Sequence, residues 1–197
     1  MTPAEALRAG LPVVLPFDTV YGLAAEPHDE ASTRRLYELK GRAATQPTAL
    51  VAASVEQLRA VLPELDTTRD WHELLPGPLT LVVPNPAHRF AWLTGANPDA
   101  LGIRVPDVAG PARAVLDEAG AVVATSANRP GEPDPRRLAD VPEEIRAGAA
   151  AVVDGGELPG TPSTVVDLTG PEPRILREGA VSTGEVLRRL ESAVRSS

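Results

Sequence analysis

The feature that most constrains this chain is a series of short apolar runs almost free of charge, set between segments that carry helix-start signals. Pro12-Val13-Val14-Leu15, Leu50-Val51-Ala52-Ala53, Leu79 to Val83, Gly102 to Val105, Ala121 to Thr125 and Ala150 to Val153 are each four or five residues long. That is strand length and too short for a buried helix. The runs lack the apolar-polar alternation of a half-exposed strand, which predicts a sheet covered on both faces. Between them, Thr2-Pro3-Ala4-Glu5 and Ser54-Val55-Glu56-Gln57 read as capping boxes, and Ser182-Thr183-Gly184-Glu185 opens a final helix with Val186, Leu187 and Leu190 on its apolar face. Asp29 caps a helix through Lys40, Pro111 to Ala119 reads as helical, and a further helix is expected around Trp71, Leu74 and Leu75. Ser163 to Leu168 and Arg174 to Arg177 read as a closing strand pair. Strands and helices intermix throughout, with connections of varied length. The expected fold class is α/β: a twisted mixed sheet with helices around it, in one domain over residues 1–197 with its core at about 12–190.

Composition narrows the chemistry. The chain has no cysteine, which excludes disulfides, thiolate metal sites, iron–sulfur clusters and cysteine nucleophiles. His28, His72 and His88 do not stand at ligand spacing, so no histidine metal site is expected. The formal net charge is −8 and aromatics make up 3%, which argues against a generic nucleic-acid binder or a row of base-stacking side chains. No apolar run reaches bilayer length, and MTPAEALRAG has neither the basic start nor the apolar core of a secretory signal, so a cytoplasmic location is expected. Nineteen residues are Lys or Arg, and only Lys40 is a lysine, which makes that position informative.

Several familiar phosphate and nucleophile motifs are missing. The only lysine stands in Leu39-Lys40-Gly41-Arg42, which excludes a Walker A loop, and neither GxGxxG nor GxSxG occurs. Five segments instead place polar residues at strand ends or in Pro/Gly-framed turns: Pro16 to Leu23, Lys40-Gly41-Arg42, Pro76 to Thr80, Thr125 to Asn128, and Ser163 to Asp167. Arg104 and Arg177 belong with them. Lys40 and Arg42 read either as cations favoured at a helix C-terminus or as a clamp for phosphate or carboxylate oxygens. Arg104, between Ile103 and Val105, reads as a guanidinium aimed into a cleft or as half of an internal salt bridge. Ser126 and Asn128 follow an apolar strand, where open α/β sheets present ligands, and both also suit a turn. Ser163 and Thr164 offer hydroxyls at the start of another strand. Trp71 and Trp92 read as packing, and Asp18 and Asp167 are isolated acids of little weight.

Taken in order, these segments resemble the YrdC-type family of threonylcarbamoyl-AMP synthases. The resemblance rests on PFDTVYGL, KGR followed by Pro47, PGPLTLVV, IRVP, TSAN, STVVDLT and RILREG, running from about Pro12 to the last helix. Each motif is weak alone; seven in register are specific.

The resemblance implies a twisted α/β sheet around a large concave, positively lined cavity. It implies a reaction of L-threonine, bicarbonate or CO2, and ATP that yields threonylcarbamoyl-AMP and pyrophosphate, with Mg2+ carried by the nucleotide and no metal held by the protein. The product would feed a downstream tRNA-modifying threonylcarbamoyl transferase complex; direct tRNA binding is not favoured. It assigns Lys40 and Arg42 to the ATP phosphates as the catalytic cations. Asn128 and Arg177 go to the nucleotide, and Arg104, Ser126, Ser163 and Thr19 to threonine. Two departures stand out. Phe17 occupies the place of the family's first threonine, and residues 43–49 lack the proline that usually follows the arginine and the leucine after Pro47. Phe17 motivates the alternative of a paralogue with another amino-acid or carbamoyl acceptor. A non-catalytic RNA-binding module is the third reading.

Overall fold

The computed structural model describes residues 1–65 and 70–195. Among the described residues, nine strands form one mixed sheet: β1 (Val13–Pro16), β2 (Tyr21–Ala25), β3 (Ala49–Val51), β4 (Leu79–Pro84), β5 (Ala100–Arg104), β6 (Val122–Ser126), β7 (Ala151–Val152), β8 (Thr164–Asp167) and β9 (Arg174–Arg177). Their spatial order is β7-β1-β2-β6-β3-β5-β4-β8-β9. β1–β7, β3–β5 and β4–β8 are parallel; the other neighbours are antiparallel. The α/β class and the mixed sheet are as expected.

The charge-free runs have a direct structural cause. Alternate residues of one strand enter two separate cores. Val14, Leu23, Leu50 and Val123 join one cluster, while Val13, Leu15, Ala24, Val51, Val122 and Ala124 join the other. On the first face lie α2 (Glu30–Lys40), α3 (Val55–Val61), α5 (Glu143–Gly148) and α6 (Thr183–Arg195), through Leu36, Val55, Leu58, Ile145, Val186 and Leu190. On the second face lie α1 (Pro3–Arg8) and α4 (Gly110–Ala119), through Ala6, Leu7, Val115 and Leu116. The starts of α1 and α2 follow the sequence signals. Thr2 and Glu5 cap each other reciprocally at the start of α1. The Asp29 carboxylate accepts from the Ala31 and Ser32 N–H groups, and Gly41 ends α2 in the left-handed conformation at φ 72°.

Coverage of the second face stops partway across. The second core uses β1, β2, β6 and β3, yet none of its members comes from β5, β4, β8 or β9. On those strands the residues that face away from the first core include Arg104, Thr80, Val165 and Arg177. Register sets Arg104 beside Val51, Thr80 beside Val165, and Val165 beside Arg177. This uncovered half-face becomes the floor of a cavity.

Three elements differ from expectation. Tyr21–Ala25 is a strand, although Gly and Ala have low strand propensity; it is stabilised by pairing with β1 and β6 on both sides. The helix expected around Trp71 is a single 3₁₀ turn, Trp71–Glu73. α5 has no side-chain cap and only six residues, too little signal to be read from sequence. No helix among the described residues is long and apolar enough to cross a membrane.

Candidate active site

Lys40 and Arg42 leave the end of α2 in different directions. The left-handed Gly41 reverses the chain, and the Arg42 N–H bonds back to the Tyr37 carbonyl at 2.8 Å. Lys40 is only 3% exposed. Its ammonium donates to the Ser126 carbonyl at 2.5 Å, the Asn128 carbonyl at 2.7 Å and Asn128 Oδ1 at 2.7 Å, with Ser126 Oγ at 3.5 Å. Loss of hydration and the nearby Arg42 lower its pKa to about 8, and Asp134 opposes them. Arg42 donates to the Pro47 carbonyl at 2.5 Å and reaches Thr125 Oγ1 at 3.4 Å; its buried Nε has no hydrogen-bond partner. Burial lowers the Arg42 pKa, and Tyr37 offsets part of that.

Arg104, at the end of β5, is braced by the segment before β2. Its Nη2 donates to Asp18 Oδ1 and, at 2.8 Å, to Thr19 Oγ1. The other Asp18 oxygen accepts the Asp107 N–H at 3.0 Å. Arg104 and Asp18 side chains are 12% and 8% exposed, so this pair is screened little by solvent. The guanidinium lies 5.9 Å from the centroid of the Phe17 ring, and Nε is buried without a partner. Phe17 in turn lies over Gly22, where a Cβ would meet the ring at 2.3 Å. Glycine at that strand position is therefore required by the aromatic ring. The structure answers where Phe17 points: its ring belongs to the second core and also lines the cavity.

Ser163 and Arg177 meet at the far end of the sheet. Arg177 Nη2 donates to the Ser163 carbonyl at 2.7 Å and approaches Ser163 Oγ at 3.3 Å. Ser163 Oγ and Thr80 Oγ1 are 2.8 Å apart. The neighbouring Thr164 faces away: its hydroxyl donates to the Val181 carbonyl at 2.6 Å. The segment between β7 and β8 closes the site's edge, since the Gly160 N–H bonds to the Thr19 carbonyl at 2.8 Å.

These pieces surround one cavity of about 200 Å³. Thr19, Arg42, Arg104, Ser126, Ser163 and Arg177 all line it, as do Phe17, Thr48, Thr80, Thr125 and Asp134. Lys40 and Asn128 do not line it. They stand behind Ser126, whose hydroxyl donates to Asn128 Oδ1 at 2.6 Å, and the Asn128 amide donates to the Glu132 carbonyl at 2.7 Å. The sequence reading gives Thr80, Thr125 and Asp134 no role. Thr80 and Thr125 sit inside motifs that flag them; Asp134 has no such signal. Asp18 is an arginine partner, and Asp167 lies elsewhere, held by Thr169 and Arg174. Among the described residues no cluster of three or more metal-ligating side chains exists. Three guanidiniums from separate elements, facing several hydroxyls and one carboxylate, suit a ligand with more than one anionic group.

Comparison with known proteins places this geometry in context. The Sua5/YciO/YrdC family, described as "Telomere recombination", matches residues 5–179. A threonylcarbamoyl-AMP synthase of Pyrococcus abyssi is 34% identical over 186 residues, covering 93% of this chain and 54% of that protein. The chain thus spans about half the length of that relative. A threonylcarbamoyl-AMP synthase of Alkalilimnicola ehrlichii is 38% identical over 153 residues, 77% of this chain and 79% of that one. The crystal structure of P. abyssi Sua5 complexed with L-threonine superposes with a TM-score of 0.82 at 34% identity, over 95% of this chain and 56% of that one.

Proposed function

The chain belongs to the Sua5/YciO/YrdC family, and from that premise we propose that it makes L-threonylcarbamoyl-AMP from L-threonine, bicarbonate or CO2, and ATP, releasing pyrophosphate. The single observation that carries this reading is the meeting of Arg42, Arg104 and Arg177 in one cavity with the hydroxyls of Thr19, Ser126 and Ser163.

The chemistry needs those groups. A carbamate oxygen must attack the α-phosphorus of ATP, so two anions must be brought into contact. Fixed cations offset that repulsion without reorganising during the reaction. As the bond to pyrophosphate breaks, charge grows on the leaving oxygen, where arginine stabilises it. Arg104, held by Asp18, Thr19 and Phe17, is a rigid receptor for the threonine carboxylate, with Thr19, Ser126 and Ser163 nearby for its polar groups. Arg42 and Arg177, on the two sides of the cavity, would hold the triphosphate. Asn128 would act at the nucleotide end through Ser126. No enzyme nucleophile is required.

Magnesium fits this arrangement as a companion of ATP. Asp134 is the one carboxylate among the described lining residues, too few oxygens for a protein cage, so the ion would keep phosphate and water ligands. When bound, it supplies further neutralisation of phosphate charge. The product is a reactive anhydride, which calls for a downstream transferase that passes the threonylcarbamoyl group to tRNA.

The test is pyrophosphate release measured with each substrate withheld in turn. Release is expected only when threonine, bicarbonate and ATP are all present. Release that continues without threonine and bicarbonate would falsify the assignment.

A further inference from the structure

Three guanidiniums share the cavity with a single carboxylate, and that carboxylate is unpaired. Asp134 lines the cavity together with Arg42, Thr125 and Ser126. Among the described residues its side chain makes no hydrogen bond and no ion pair. Other acids around the sheet are held: Asp18 by Arg104, Asp154 by the Tyr21 hydroxyl and the Gly156 N–H, Asp167 by Thr169 and Arg174. What fixes Asp134 is its backbone. Pro133 and Pro135 flank it; proline locks its own φ and restricts the residue before it to extended conformations. The Pro135 carbonyl accepts the Tyr21 N–H at 2.9 Å, and the Glu132 carbonyl accepts the Asn128 amide at 2.7 Å. A braced segment thus presents a bare carboxylate to the cavity. Arg42 and Asp134 act on the charge of Lys40 in opposite senses, which puts both at the same end of the site.

A carboxylate at that end works against a polyphosphate. Each phosphate charge brought near it lowers affinity, and no protein cation is paired with it to offset the repulsion. A divalent cation between the two anions turns that repulsion into attraction. Magnesium sites of this kind use one or two carboxylates together with phosphates and water. We propose that Asp134 is a metal-selecting residue: its carboxylate supplies a protein oxygen to the Mg2+ carried by ATP and makes the site disfavour ATP that lacks the metal. The inference rests on the functional reading above, which gives Arg42 to the triphosphate. Ribose hydroxyls and the threonine ammonium are the competing partners for this carboxylate, and neither would tie its role to a divalent cation.

The test is equilibrium binding of ATP by calorimetry, in Mg2+ and in EDTA, to wild type and to Asp134→Asn. Threonine is left out, so that binding is read without turnover. Wild type is expected to bind ATP roughly tenfold or more tightly with Mg2+ than without it. In Asp134→Asn that ratio is expected to fall toward one from both sides. Metal-free ATP should bind more tightly than to wild type, roughly tenfold for one relieved like-charge contact, and ATP with Mg2+ more weakly. Asp134→Glu should keep the preference for the metal. Asp134→Ser, also uncharged, takes the place of the amide variant should that one fail to fold. Equal weakening of ATP with and without Mg2+, as loss of a ribose contact would give, overturns the proposal. So does a metal preference as large in Asp134→Asn as in wild type, or a loss of threonine affinity with ATP binding unchanged. In each of these cases wild type still binds ATP and the functional reading stands. Wild type that binds ATP in neither condition overturns that reading and the proposal with it.

Discussion

The two halves of one sheet face are built on the same alternation and end in opposite chemistry. Where α1 and α4 cover β1, β2 and β6, the residues pointing outward are Val13, Leu15, Ala24 and Val122, packed with Leu7 and Leu116. Where none of the described helices covers this face of β5, β4, β8 and β9, the same geometric positions hold Arg104, Thr80, Val165 and Arg177 around a cavity. Phe17 stands on the border and belongs to both halves. The difference shows that the site is a gap in the helical layer, its polar side chains placed by strand register and braced from the covered half. Stability and activity should therefore separate along the line of Phe17.

The largest separation is expected from Arg104→Met. It leaves the covered half untouched and removes the braced guanidinium, so threonine-dependent pyrophosphate release should fall by about 10²–10³-fold. Asp18, 8% exposed, is left without its partner, so some stability is lost as well; release is therefore read per folded molecule, and a loss that disappears on that basis would erase the boundary. The mirror experiment is Leu15→Ala, in a fully buried position of the covered half. Unfolding in urea should show a loss of about 2–5 kcal/mol, with turnover per folded molecule unchanged.

A border substitution should disturb both. At Gly22 an added Cβ would meet the Phe17 ring at 2.3 and 2.6 Å, so Gly22→Ala should cost about 1–3 kcal/mol and also raise the KM for threonine by displacing the ring under Arg104. The double variant with Phe17→Ala should lose less stability than the two single losses summed, because the clash partner is gone. Independent, additive losses would mean that ring and glycine are not coupled.

A smaller effect concerns pH. Lys40 titrates near 8 in the folded protein instead of its ordinary 10.5, because burial and Arg42 disfavour its charge more than Asp134 favours it. Between those values the unfolded chain binds more protons than the folded one, so this group makes stability rise as pH increases from about 8 to 10.5. Below about 8 both states are protonated and the slope vanishes. Lys40→Met should remove that rise in an alkaline denaturation series. The smallest effect is expected at Arg113, exposed on α4 and paired with Asp117 one turn away. Its replacement by Ala should leave both melting temperature and activity unchanged within error.

Much of the architecture was legible because each local signal agreed with its surroundings. The reciprocal Thr2–Glu5 cap, the Asp29 cap and the charge-free strands needed no tertiary information. β2 was not legible, since Gly22, Ala24 and Ala25 carry little strand propensity and are held by neighbours on either side. For the site, residue types at strand ends were enough to single out Arg104, Ser126, Ser163 and Arg177. Their partners were hidden by distance along the chain: Asp18 and Arg104 lie 86 positions apart. Side-chain direction was hidden as well. Lys40 and Arg42 look equivalent in sequence, and only the left-handed turn at Gly41 sends one into a cage of carbonyls and the other toward the cavity.

The most direct test of the account is mass spectrometry of the nucleotide products formed from carbon-13 bicarbonate, threonine and ATP. The account predicts an adenylate that carries both the labelled carbon and the threonine, formed with one pyrophosphate each and lost in Arg104→Met. Nucleotide products without the label, or a labelled adduct undiminished in Arg104→Met, would contradict it.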